Sequence, residues 1–166
     1  MIMGVSACGK TTLGQALAKE LGVAFFDGDD FHLPDHVAKM AAGQPLNDED
    51  RKGWLNRLNA VARKHHDAGA VIACSALRER YRKWLSEGLE DAVVWVVLNG
   101  SFEEIRARIE SRKGHFMPPA LLRSQFDTLE LPAYGIHLPV SLPVAAMLER
   151  IREASDRKGP EAMPPA

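Results

Sequence analysis

Apolar and polar positions alternate along this chain in two rhythms. Short apolar runs at residues 1–3, 23–26, 70–74 and 92–98, with a weaker one at 136–140, predict strands. Between them, apolar residues recur every three or four positions, which predicts helices. Lys10–Leu21 carries Leu13, Leu17 and Leu21 on one stripe and stops at Gly22. A short helix is expected over 35–42. A long one to about residue 67 is capped by Asn47 or Asp48 and buries Trp54, Leu55, Leu58 and Val61. Further helices are expected over 77–85, 101–112, 120–131 and 143–155. Ser101 and Glu104 form a capping box for the second of these four, and residues 114–119 break the chain after it. Strands that alternate with crossover helices build a parallel sheet in an α/β fold.

The first of these strand-to-helix junctions carries the clearest chemistry. Gly4-Val5-Ser6-Ala7-Cys8-Gly9-Lys10-Thr11 matches the phosphate-loop pattern G-x-x-x-x-G-K-[ST] at every fixed position. Its glycines let the backbone wind around phosphate oxygens, and the helix that follows presents its positive end to the same anion. Lys10 supplies a charge for the outer phosphates, Thr11 offers a hydroxyl to Mg²⁺, and Thr12 extends the cradle. Asp27 and Asp29 stand two residues apart at the end of the next strand, where both can face one ligand. One carboxylate can orient or deprotonate an acceptor hydroxyl, and the other can hold a metal-bound water. A polar Asp/Gly turn leaving a strand would look the same in isolation.

The segment after Asp29 is unusually polar, with His32, Asp35, His36, Lys39, Asn47, Asp48, Asp50 and Arg51. His32, Lys39 and Arg51 suit a carboxylate and Asp29 suits hydroxyls, so an acceptor both anionic and polyhydroxylated fits. A solvated, ion-paired helix face is the alternative reading of the same residues. Further on, Arg106, Arg108 and Arg112 share one helix that runs into Lys113-Gly114-His115-Phe116, a composition suited to a hinge and lid. Cys8 lies at a helix N-terminus, where thiolates are stabilised, so its oxidation is expected to block nucleotide binding. Cys74 reads as core, and His65-His66 as a favourable helix end.

Composition narrows the classes around this chemistry. A chain of 166 residues is one domain, taken here as residues 1–155 with an insert at about 30–55 and a lid at about 112–125. Residues 156–166 form a polar, Pro-rich tail of disordered composition. A net charge of -1 gives no field that would draw the protein to nucleic acid or an anionic membrane. No apolar run approaches a bilayer span, no signal-peptide pattern precedes the loop, and the two cysteines have neither disulfide nor zinc spacing. Cytoplasm is the expected compartment. A GTP-dependent switch is a poor fit, because no NKxD motif exists in the chain. Another small-acceptor kinase, of the shikimate or nucleoside monophosphate type, and a non-catalytic nucleotide-binding module both stay open.

Four collinear blocks resemble the gluconokinases of the shikimate-kinase-like P-loop family: MGVSACGKTT, FFDGDDFHLPDHVAKMAAGQPLNDEDRKGWL, IACSALRERYRKWL and ARIESRKGHFMPPALLRSQFDTLELP. They cover most of residues 3–132. The resemblance implies a three-layer α/β/α fold with a five-stranded parallel sheet and a lid, and commonly a homodimer. It implies transfer of the γ-phosphoryl group of ATP to the 6-hydroxyl of D-gluconate, with Mg²⁺. Carried over position by position, it makes Lys10, Asp29 and Arg112 catalytic and assigns the phosphate loop, Thr12 and Arg108 to ATP. Thr11, with Asp27 through water, goes to the metal. Asp29, His32, Lys39, Met40, Arg51, Arg82 and His115 go to the substrate, with Ser75 and Tyr81 nearby. The loop departs from the usual GVSGSGKS at Ala7, Cys8 and Thr11. Thr11 is chemically equivalent, whereas Ala7 needs a compatible backbone angle and weakens ATP binding slightly. The strand before the loop is shorter than in relatives, and residues 133–143 are shorter and richer in proline than the family's last strand.

Overall fold

The computed structural model describes residues 1–44, 46–111 and 119–157. Five strands form one parallel sheet: β1 (Ile2–Met3), β2 (Ala24–Asp27), β3 (Ala70–Ala73), β4 (Val96–Asn99) and β5 (Ile136–Pro139), in the order β2-β3-β1-β4-β5. The helices are α1 (Lys10–Leu21), α2 (Pro34–Ala41), α3 (Asp48–Lys64), α4 (Glu79–Ser86), α5 (Phe102–Ser111), α6 (Pro119–Thr128) and α7 (Val144–Asp156).

The period-2 alternation of the strands sorts the core into two layers. Ile2, Val71, Val96 and Leu98 face Leu13, Leu17, Ile105, Leu122, Met147 and Ile151, which belong to α1, α5, α6 and α7. Met3, Ile72 and Val97 face the opposite way, onto Trp54, Leu55, Leu58, Tyr81 and Leu85 of α3 and α4. The three-layer α/β/α sandwich follows from that division. Leu55 and Leu58 are fully buried, each worth about 2 kcal/mol of transfer free energy.

The predicted capping box of α5 forms, and the predicted cap of α3 falls on Asn47, which makes a full box with Asp50. Asn47 accepts from the Asp50 amide at 2.8 Å and Asp50 accepts from the Asn47 amide at 3.1 Å. Ser101 and Glu104 exchange the equivalent pair at 3.1 and 2.8 Å. Two expectations need correction. Leu21 completes the stripe of α1 only in sequence; it is 60% exposed and borders an open cavity beside Ile2, Val71 and Val96 instead of packing into the core. The fourth strand begins at Val96 rather than residue 92, since residues 90–92 wind into a 3₁₀ turn. Residues 133–143 nevertheless supply β5, paired along its whole length with β4. The expected lid lies outside the described residues up to 118, as does the tail from 158.

Candidate functional site

The carboxyl ends of β1, β2 and β3 converge on one region, as the topology of an open parallel sheet requires. β1 runs directly into the loop of residues 4–9. Gly4 has φ 147°, and a Cβ there would stand 2.8 Å from Cys8 Sγ and 2.9 Å from the Leu98 carbonyl oxygen, so only glycine fits. Ala7 takes φ 62°, and α1 opens at Gly9 without any side-chain cap. An uncapped helix N-terminus behind a wound loop is an anion site by construction. Lys10 rests on this loop, donating from Nζ to the Val5 carbonyl at 3.0 Å. Thr12 is exposed in the first turn of α1.

Thr11 Oγ1 donates to Asp27 Oδ2 at 2.6 Å, and Asp27 Oδ1 accepts from the Asp29 amide at 3.1 Å. The hydroxyl and carboxylate form a pair of hard oxygens at the mouth of the loop. Mg²⁺ takes one or two such protein ligands and fills its octahedron with phosphates and water, so the donor set fits this ion. Among the described residues no cluster of three or more His, Cys, Asp or Glu offers a full protein cage.

Beside the loop lies a cavity of about 370 Å³ whose wall includes Lys10, Asp29, His32, Arg51, Tyr81 and Gln125. Met40 and Ser75 also line it. Asp29 points outward, with 81% of its side chain exposed. His32 stacks on Trp54 at 4.1 Å between ring centroids and 21° between planes. Its side chain is 7% exposed and its Nδ1 is buried without a partner. Burial holds the His32 pKa below its ordinary value, against the opposing pull of Asp29. Trp54 is itself anchored, donating from Nε1 to the Gly28 carbonyl at 2.7 Å. Gly28 lies so close to β3 that a Cβ would meet the Ala73 oxygen at 2.6 Å.

Arg51 reaches the cavity from α3 and donates to the Tyr81 hydroxyl at 3.3 Å. Tyr81 donates in turn to Asp48 at 2.6 Å, and burial together with that carboxylate raises the phenol's pKa. Lys39 does not line the cavity. It gives both its contacts to Asp50, at 2.9 Å each, so it braces α2 against the cap of α3. A separate apolar cavity of about 300 Å³, lined by Ile2, Leu17, Val71 and Val96, lies at the amino ends of the strands. Its walls are mostly hydrophobic, with His65, His66 and Ser155 among them, and it is remote from the loop.

Two further expectations change at this point. Arg82 is 2% exposed and faces away from the cavity. Its donors go to the Ala76 oxygen at 2.9 Å, the Glu130 oxygen at 2.8 Å, Glu79 at 2.7 Å and Tyr134 at 3.0 Å. Its cation is spent within the fold. Cys8 is buried, and burial raises its thiol pKa although Lys10 pulls the other way. The helix terminus therefore does not make it a reactive thiolate. Cys74 is core as expected, its thiol pushed up to about 12 by burial. Arg108 donates to the Val140 carbonyl, tying α5 to the end of β5. Arg112 and His115 lie outside the described residues. Sequence reasoning missed Gln125, whose side chain meets Ser6 of the loop twice. No local signal singled it out, since Arg123, Ser124, Asp127 and Thr128 stand around it in α6 as equally polar residues.

Comparison with known proteins agrees with this layout. Residues 6–131 match the family described as Shikimate kinase. The chain is 40% identical to the thermosensitive gluconokinase of Escherichia coli K12 over 161 residues, which span 93% of this chain and 85% of that protein. An unliganded sugar kinase from Janibacter sp. HTCC2649 superposes with a TM-score of 0.86 at 41% identity, covering 93% of this chain and 92% of the other. A gluconokinase from Sinorhizobium meliloti 1021 gives 0.80 at 35% identity, with 96% and 95% covered.

Proposed function

The chain belongs to the gluconokinase family, within the shikimate-kinase-like P-loop kinases, and from that premise we propose that it transfers the γ-phosphoryl group of ATP to the 6-hydroxyl of D-gluconate. The observation that carries the reading is the shared cavity: Lys10 of the phosphate loop and Asp29, His32 and Arg51 of the polar insert line one space. Donor and acceptor then meet without crossing bulk water.

In this reading the loop amides and Lys10 hold the phosphates. Thr11 and Asp27 would hold Mg²⁺, Asp27 through a water; the ion supplies charge neutralisation on the transferring group. Asp29, exposed at the cavity mouth, orients the acceptor hydroxyl and takes its proton as the new P–O bond forms and the bond to ADP breaks. Arg51, held by Tyr81, pairs with the gluconate carboxylate, and neutral His32 offers Nε2, the ring nitrogen on the Asp29 side, to a sugar hydroxyl. Lys39 serves the substrate indirectly, through Asp50. Arg108 belongs to the nucleotide side; Arg112 and His115 are assigned there and to the substrate by resemblance alone. The protein acts in the cytoplasm as a homodimer; no described helix is long and apolar enough to cross a membrane.

A coupled ADP-release assay over gluconate, shikimate, other aldonates and nucleoside monophosphates tests this. Gluconate should give the highest turnover, and magnesium removal by chelation should abolish it. If another acceptor is turned over while gluconate matches buffer, the substrate is misassigned. Lys10→Ala should cut turnover by about 10²–10³ with an unchanged melting curve. Sedimentation velocity tests the dimer.

A further inference from the structure

We infer that Gln125 is a positioning residue for phosphoryl transfer, its side-chain amide clamping Ser6 of the phosphate loop from the acceptor side; the inference rests on the kinase reading above. The Ser6 backbone N–H donates to Gln125 Oε1 at 2.7 Å, and Gln125 Nε2 donates to Ser6 Oγ at 2.9 Å. The two bonds fix the amide's orientation. With oxygen and nitrogen exchanged, an NH₂ would face the Ser6 N–H, donor against donor. The clamp joins positions 119 residues apart in sequence.

The rest of α6 leaves this role to Gln125. Leu122 is 1% exposed and Phe126 packs edge-on against Phe102 at 5.6 Å, so apolar contacts set the helix in place. Ser124 and Thr128 turn back to their own helix carbonyls at 2.8 and 2.7 Å. Gln125 alone among these polar side chains crosses to the loop.

Its location gives the clamp a function. Ser6, Lys10 and Gln125 line the same cavity as Asp29 and His32, so the amide sits where donor and acceptor sites meet. A loop N–H that finds no phosphate oxygen is expensive to leave unpaired, and Oε1 satisfies it. Nε2 carries a second hydrogen beyond the one given to Ser6. That hydrogen is placed to meet an oxygen of the γ-phosphoryl group, and the neutral amide does so without repelling it. Gln125 thereby holds the loop in its phosphate-binding shape and marks where the phosphoryl group stands.

Three variants test this: Gln125→Ala, Gln125→Glu and Ser6→Ala. Each is melted to confirm folding, titrated with ATP and with ADP, and assayed for ADP release with and without gluconate. Gln125→Ala should lose about 10–100-fold in kcat with a change in the KM for ATP of about threefold or less, and should release a larger share of ADP without gluconate. Gln125→Glu keeps the length and the acceptor for the Ser6 N–H but sets a negative charge beside the γ-phosphate. It should weaken ATP binding about tenfold more than ADP binding, which a purely structural brace would not do. Ser6→Ala keeps the N–H bond and should cost only about two- to fivefold. Gln125→Ala turnover within threefold of wild type, or an unchanged ATP-to-ADP affinity ratio in Gln125→Glu, overturns the inference. If Gln125→Ala does not fold, the near-isosteric Gln125→Glu decides alone. Should wild type show no gluconate-dependent turnover, the acceptor assignment fails, while the ATP-to-ADP ratio still decides the role of Gln125.

Discussion

Ala7 holds φ 62°, in the left-handed region where a Cβ costs roughly 1–2 kcal/mol. Nothing in the loop compensates by bonding its side chain, since a methyl group has no donor or acceptor. The strain is therefore retained for the sake of the loop's winding, and the backbone angle asked of this position in sequence is the one observed. Ala7→Gly should raise stability by about 0.5–1 kcal/mol after the extra entropy of the unfolded glycine is subtracted. ATP affinity should rise with it, in an urea melt and a nucleotide titration run side by side. A second residue-scale prediction concerns His32. Its folded pKa lies below the unfolded value of about 6.5, because burial disfavours the imidazolium. Above about pH 6.5 both states are neutral and the contribution is fully present. As pH falls from there toward the folded pKa, the unfolded state takes up the proton first, so stability is lost. The carboxylates with lowered pKa, Asp48, Asp50, Glu79 and Glu90, act in the same direction but only at more acidic pH. His32→Gln should flatten the fall in melting temperature just below about pH 6.5 relative to wild type.

α3 is the element on which most of the acceptor side depends. Its capping box fixes Asp50 for Lys39, its first turn places Asp48 under Tyr81, and its second carries Arg51 and Trp54. Trp54→Phe keeps the ring against His32 but removes the 2.7 Å bond to the Gly28 oxygen. A buried carbonyl left unpaired costs about 1–3 kcal/mol, and the turn bearing Asp29 and His32 loses its tether. The KM for gluconate should rise more than the KM for ATP, which initial-rate kinetics will separate. Such elements were legible because local rules determine them. Asn47 caps, Ser101 and Glu104 box, Gly22 stops α1, and the loop spells its own phosphate site. Contacts between distant elements were not legible. Gln125 and Ser6 stand far apart in sequence, and nothing periodic relates them. Leu21 reads as core by spacing, yet its burial depends on what packs over it, and it borders an open cavity. Lys39 and Arg82 read as free cations, because a sequence shows charges without showing which are already paired.

Across the whole molecule the site is a seam between the helix layers, and Arg82 shows how the fold holds that seam open. It joins α4, the turn after β3 and the segment following α6: the carbonyls of Ala76 and Glu130 both accept from it. Ala76 has φ 43°, another left-handed alanine, and it sits between Ser75 and Leu77, which line the cavity. Tyr134 and Glu79 complete the shell around the guanidinium, so the cation is buried with its partners in place. Removing one partner of such a buried set is strongly destabilising, because the remaining polar groups lose both water and their bonds. Arg82→Met fills a similar volume but satisfies none of the four groups. It should lower stability by about 3 kcal/mol in urea denaturation, the part-exposed Glu79 contributing little of that loss. At low temperature, where the variant stays folded, the KM for gluconate should change by no more than a few-fold. The opposite pattern, wild-type stability with a KM raised tenfold or more, would return Arg82 to the substrate. Either result separates a residue that builds the cavity from one that fills it.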